Sequence, residues 1–224
     1  MRQIAEWARL LPAWAEFGAV ATIGFGWFIG VSLWNSILGE FQTQTIGVSH
    51  LYWLIAQELA FGGPLALLLA WRGWTGQTLG LAKPRISDAL VAAGLFILVY
   101  VLSLVAAVMA LQVLPDHGPP FSFMERPSVA LLIVVSLLNS LYEEVLVCAY
   151  VIERFAKCRW RWLGLAISFV LRLSYHVYQG PMGLMQIAIV GIVFGAWYRY
   201  RRRLWPLVGV HAAIDLIGLS YLVR

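Results

Sequence analysis

Charge is scarce in this chain. Asp, Glu, Lys and Arg make up 12% of its 224 residues and hydrophobic residues 61%, whereas an ordinary soluble domain is about 25% charged. A larger core cannot absorb the difference, because a soluble surface must still be covered by groups that water tolerates. The shortage excludes a water-soluble globular domain and leaves lipid as the outer solvent. Cysteine is scarce as well: there are two, Cys148 and Cys158. Cys148 lies inside an apolar run, which argues against a disulfide framework. The pattern of a cleavable leader is not expected at the N-terminus either. The N-terminus mixes Arg2, Glu6, Arg9 and Glu16 with apolar residues and shows no small-residue cleavage site, so it reads as part of the mature chain.

Long apolar runs are abundant, and runs of about 18 or more residues signal membrane-spanning helices. Seven are visible, at 14–38, 50–71, 88–113, 128–153, 162–180, 182–198 and 204–222. The expected fold class is therefore all-α, a polytopic membrane helix bundle forming one domain over residues 1–224. Gln179, Gly180 and Pro181 leave almost no loop between the fifth and sixth runs, which suggests a helix break buried inside the protein. The 11 tryptophans suit a headgroup-level belt.

The net charge is +5. The bases sit in short loops between apolar runs, so they point to orientation in a bilayer and away from nucleic acid. Arg72, Lys83 and Arg85 follow the second run. Arg154, Lys157, Arg159 and Arg161 follow the fourth, and Arg199, Arg201, Arg202 and Arg203 the sixth. By the positive-inside rule these loops are cytoplasmic, with the N-terminus inside and the C-terminus outside. The expected location is multi-pass, in a bacterial inner membrane. Two GxxxG spacings, Gly26–Gly30 and Gly191–Gly195, read as ordinary internal packing.

Ionisable groups at membrane depth are expensive and mark functional sites by default. The runs contain Glu58, Glu143, Glu144, Arg172, His176, His211 and Asp215. Glu143 and Glu144 point about 100° apart on one helix and are hard to ionise together. Arg172 and His176 are an i, i+4 pair, as are His211 and Asp215, so each pair shares a face. One shared polar site costs less than five separate burials. Glu58 reads as a helix cap or bridge, and His50 and His117 as solvated. The zinc helix H-E-x-x-H and the paired aspartates of intramembrane aspartyl proteases are absent, and Gly30-Val31-Ser32 is a G-x-S with no placed base. Carboxylate and imidazole together suit zinc or a glutamate-activated water. Hydrolysis, proton- or ion-coupled transport and a structural membrane role remain open from the residues alone.

Glu143-Glu144, then His176 after Leu173-Ser174-Tyr175, then His211-Ala212-Ala213-Ile214-Asp215, on three separate runs, resemble the CPBP family of intramembrane proteases. This is the type II CAAX prenyl endopeptidase, or abortive-infection, family, and the resemblance covers about 125–222. It implies an intramembrane metalloendopeptidase or glutamate-dependent endopeptidase acting on a peptide or membrane-protein substrate. Glu143 is the implied base, Glu144 its auxiliary, and His176 and His211 hold the attacking water. Asp215 supports them or stabilises the oxyanion. Glu143, His176 and His211 are the implied ligands if zinc or another divalent metal is bound. One departure stands out: the family motif E-E-x-x-x-R has Cys148 where its arginine belongs. That loss favours an inactive relative serving bacteriocin self-immunity or scaffolding, unless another cation replaces the arginine. Arg172, on the next run, is the expected substitute beside Glu144.

Overall fold

The computed structural model describes residues 11–37, 44–112, 121–156, 158–160 and 162–222. Helix α1 spans Ala13–Ile37, α2 Ser49–Trp71 and α3 Ile86–Ala110. Helix α4, Val129–Glu143, continues through a π-helical turn, Glu144–Tyr150, into the short α5, Val151–Phe155. Then come α6, Leu163–Ser174, a 3-10 turn at Val177–Gln179, α7, Gly180–Arg201, and α8, Trp205–Tyr221. Counting the continuous α4–π–α5 rod once, these are seven helices, an all-α membrane bundle as the composition predicts. Two short strands are added: β1, Gln44–Ile46, pairs in parallel with β2, Phe121–Phe123.

The fifth apolar run departs from expectation. A span over 162–180 is not one helix, because α6 stops at Ser174 after 12 residues. Twelve residues rise about 18 Å, well short of a hydrocarbon core of about 30 Å. The chain then turns through Tyr175–Gln179 and re-enters as α7. Gly180 makes the turn possible with φ 70°, a region that L side chains rarely adopt. Pro181 follows in the first turn of α7, where its missing N–H is no loss. The segment is apolar on average despite Arg172, His176 and Gln179, so composition alone reads it as a span.

The α4–π–α5 rod is the centre of the bundle. Of its most apolar window 61% is buried, against 6% for α3, whose outer face carries Leu90, Ile97, Val101, Val105 and Met109 toward the lipid. Between lipid-bathed helices the hydrophobic effect supplies no drive, so close packing and interhelical hydrogen bonds hold them. Tyr142 Oη donates to Gly24 O at 2.6 Å, tying α4 to α1. A Cβ on Gly195 would meet Leu165 at 2.9 Å, and one on Gly191 would meet Phe169 at 3.2 Å, so this GxxxG is the contact between α7 and α6. The other has no such use: among the described residues, a Cβ on Gly30 would meet nothing within 4 Å.

The basic loops gather at one end of the bundle. Leu204 N donates to Gly80 O, Trp205 Nε1 to Ala82 O, and Arg203 pairs with Asp88. Glu16, 1% exposed, pairs with Arg72 and accepts from Trp74 Nε1 and Tyr150 Oη, with Arg154 at 3.8 Å. The sequence reading passed over Glu16 and Asp88, which close ion pairs at the ends of their helices. Phe123 N donates to Leu222 O at 2.7 Å, so both strands and the end of α8 lie at the opposite end. Arg2, Glu6, Arg9, His117, Lys157 and Arg161 fall outside the described residues.

Candidate active site

A π-helical turn begins at the second of the two adjacent glutamates. A π turn inserts an extra residue into the i→i+4 ladder and shifts side chains around the axis, a distortion common at functional sites. Glu143 ends α4 and Glu144 begins the π turn. Both are buried, at 6% and 0% exposure.

Arg172 meets them from α6. Its Nη2 lies 2.8 Å from both Glu144 oxygens, and its Nη1 lies 3.4 Å from Glu143 Oε2. The guanidinium also sits 5.8 Å from the centre of the Phe194 ring. The expected substitution across helices is therefore present as geometry. Cys148 is buried and directs its Sγ toward Phe194 O at 3.8 Å.

The remaining polar groups close around Glu143. Tyr175 Oη donates to Glu143 Oε2 at 2.7 Å, and His176 Nε2 stands 3.9 Å from the same oxygen. The second distance is too long for a direct hydrogen bond and suits a water bonded to both groups. Gln179 Nε2 lies 3.1 Å from His176 Nδ1 and orients the ring. The helix break supplies all of this: α6 ends so that Tyr175, His176 and Gln179 can turn inward together. His211 Nδ1 lies 2.7 Å from Glu144 Oε1, and its Nε2 lies 3.6 Å from Asp215 Oδ1. Asn139 Nδ2 donates to Asp215 Oδ2 at 2.8 Å.

The residues singled out in the sequence, Glu143, Glu144, Arg172, His176, His211 and Asp215, thus lie in one connected network. Tyr175, Gln179 and Asn139 belong to it too; none was expected at the site, Tyr175 entering only as part of the stretch that ends at His176. Glu58, expected as a helix cap or bridge, has a buried Oε2 with no hydrogen-bond partner among the described residues. His50 is exposed, with Nδ1 3.2 Å from Gly47 O.

Among the described residues, one trio brings ligand atoms within 4.8 Å of one another: Glu143, Glu144 and His211. His176, expected among the ligands, is not in it. Both Glu144 oxygens are already bound by Arg172, and one of them by His211 as well. Arg172 supplies the positive charge that a divalent ion would bring, so this arrangement of donors fits a resident zinc poorly.

Residues 125–217 match the model of the family described as type II CAAX prenyl endopeptidase Rce1-like. This segment is Rce1-like. It runs from just before α4 into α8 and contains every residue of the network. At the level of the family, the match supports an intramembrane protease of the CAAX type. No curated protein and no solved structure matches the chain.

Proposed function

We propose that the protein is a membrane-embedded endopeptidase in which Glu143 activates water without a resident metal. The contrast between the two glutamates carries this reading. Glu144 has both oxygens committed to Arg172 and His211, so it serves as a fixed negative post that orients them. Glu143 is bonded only through Oε2, and that oxygen faces His176 across a gap suited to one water.

In the proposed reaction, Glu143 takes a proton from the water as its oxygen bonds to the scissile carbonyl carbon. The carbonyl π electrons move onto oxygen. His211 lies between two acceptors, Glu144 and Asp215, and so presents N–H groups; its Nε2 side and the Asn139 amide are the donors nearest the developing oxyanion. Collapse breaks the C–N bond, and the leaving nitrogen receives the proton held by Glu143. Asp215, fixed by Asn139, holds His211 in place. The substrate is a peptide or membrane protein that enters from the bilayer. The alternative of an inactive scaffold is favoured by the lost motif arginine, and the contact of Arg172 with Glu144 supports the active reading against it.

Purified protein incubated with a broad peptide pool tests the reading. The wild type should generate new peptide termini, and Glu143→Gln should reduce their rate by about 10²–10⁴, the range of general base catalysis. A Glu143→Gln protein cleaving at the wild-type rate would exclude the proposed base.

A further inference from the structure

The Gly30-Val31-Ser32 motif has no part in the proposed reaction, yet Ser32 is 1% exposed and hydrogen-bonded. Its Oγ accepts from the Tyr178 N–H at 3.0 Å, which joins α1 to the 3-10 turn after α6. Breaking a helix leaves backbone groups without their partners one turn away. Inside this turn His176 N bonds to Leu173 O and Gln179 N to His176 O, both at 3.0 Å. Tyr178 N crosses to the α1 hydroxyl instead, as apolar surroundings demand of a backbone donor. Phe25 lies about two turns earlier and so on the same face of α1. Its ring stacks on Tyr175 at 5.0 Å, and Tyr175 is the donor to Glu143 Oε2. One face of α1 therefore holds the turn at two points.

From Tyr178 a short chain of bonds leads to the site. Gln179 Nε2 lies 3.2 Å from Tyr178 Oη and 3.1 Å from His176 Nδ1. A carboxamide nitrogen carries two N–H groups and only donates, so each of these acceptors takes one. His176 Nδ1 is then the accepting nitrogen of its ring. The ring's proton sits on Nε2, which faces Glu143 Oε2 at 3.9 Å. The Tyr178 and His176 rings lie nearly parallel, 6.3 Å apart at 28°. A turn that slid away from α1 would carry Tyr178 and Gln179 with it, and with them the imidazole they hold. A serine that merely satisfied a backbone donor would affect stability without singling out His176.

We propose that Ser32 is a positioning residue: by holding the Tyr178 N–H it sets the His176 ring against the Glu143 carboxylate, across the gap suited to one water. The proposal rests on the endopeptidase reading and deepens it. Ser32 touches no reacting atom, and it lies outside the segment 125–217 that matches the family. Part of the site's geometry is thus supplied by the first helix of the chain.

Two measurements on the full chain in nanodiscs test it, one of them independent of turnover. Diethyl pyrocarbonate acylates a bare imidazole nitrogen, so a ring that is 13% exposed and whose bare nitrogen already accepts a bond should react slowly. Mass spectrometry should find wild-type His176 modified about tenfold more slowly than the exposed His50. Ser32→Ala should raise the His176 rate several-fold and leave His50 unchanged, while Ser32→Thr, which keeps the hydroxyl, should stay close to wild type. On a peptide cleaved from the pool, Ser32→Ala should lower kcat about tenfold with KM unchanged. In a His176→Gln background the same substitution should cost nothing further, because its effect runs through the ring. Should the alanine protein fold poorly, Ser32→Cys, similar in size but a weak acceptor, takes its place. An unchanged His176 modification rate overturns the proposal. Equal slowing of cleavage in both backgrounds overturns it too, and assigns Ser32 to packing. A wild type that cleaves nothing sinks the endopeptidase reading, and the His176 modification rates then decide alone whether Ser32 holds the ring.

Discussion

Arg172 offers the sharpest test of how this site is held together, because a neutral substitution there should unbalance two buried carboxylates at once. The guanidinium makes two 2.8 Å contacts to Glu144 and one of 3.4 Å to Glu143, with side chains no more than 8% exposed. Removing one partner of a buried pair costs about 3–5 kcal/mol, since the other charge stays in the interior uncompensated. At about 2–4 °C per kcal/mol for a chain of this size, Arg172→Gln should lower the unfolding temperature by roughly 6–20 °C. Cys148→Ala removes only a thiol, whose contact to Phe194 O is long at 3.8 Å, and should cost about 1 kcal/mol. Cys148 Sγ and the Arg172 guanidinium both lie against Phe194, so an arginine at 148 would reach toward Glu144 from the same region. Cys148→Arg should therefore be harmful alone and beneficial in the Arg172→Ala background, a coupling that a double-mutant cycle measures directly. Thermal unfolding in detergent, followed by tryptophan fluorescence, provides the readout. An Arg172→Gln protein with wild-type stability, or a Cys148→Arg effect that is the same in both backgrounds, would refute the reasoning.

Two further outcomes follow from the geometry. The basic loops share one end of the bundle and Leu222 the other, so reporters fused after Cys158 and after Leu222 should report opposite sides of the membrane, and the same side for both would overturn the bundle's orientation. Asp215→Asn keeps an acceptor for Asn139 and should slow peptide cleavage by about tenfold, while Asp215→Ala also frees His211 and should slow it by about 10²-fold; equal rates for the two variants would show that the Asn139 contact is irrelevant.

Much of this architecture could be read in the residues, because lipid imposes a composition that water would not tolerate. The same condition exposed the site: Glu143, Glu144, Arg172, His176, His211 and Asp215 stood out as charges at a depth where charges are expensive. What stayed hidden depends on geometry that composition does not carry. The end of α6 at Ser174 is not marked by hydropathy, since 162–180 is apolar on average despite Arg172, His176 and Gln179; Gly180 and Pro181 hinted at a break without showing that it turns Tyr175 and Gln179 inward. The π turn at Glu144–Tyr150 leaves no mark in the sequence. Glu58 read as a helix cap or bridge, and the sequence does not show that its Oε2 is buried with no hydrogen-bond partner among the described residues. Glu16 and Asp88 escaped notice near span ends, where a carboxylate reads as solvated until Arg72 and Arg203 are seen beside it.

The central claim is that a carboxylate base, with Arg172 in the place of a metal's charge, performs the hydrolysis. Wild-type protein dialysed exhaustively against chelator, verified metal-free by elemental analysis and then given the peptide pool, tests this most directly. Cleavage should persist at the undialysed rate and gain nothing from added zinc. Loss of cleavage on dialysis, with recovery at stoichiometric zinc, would contradict it.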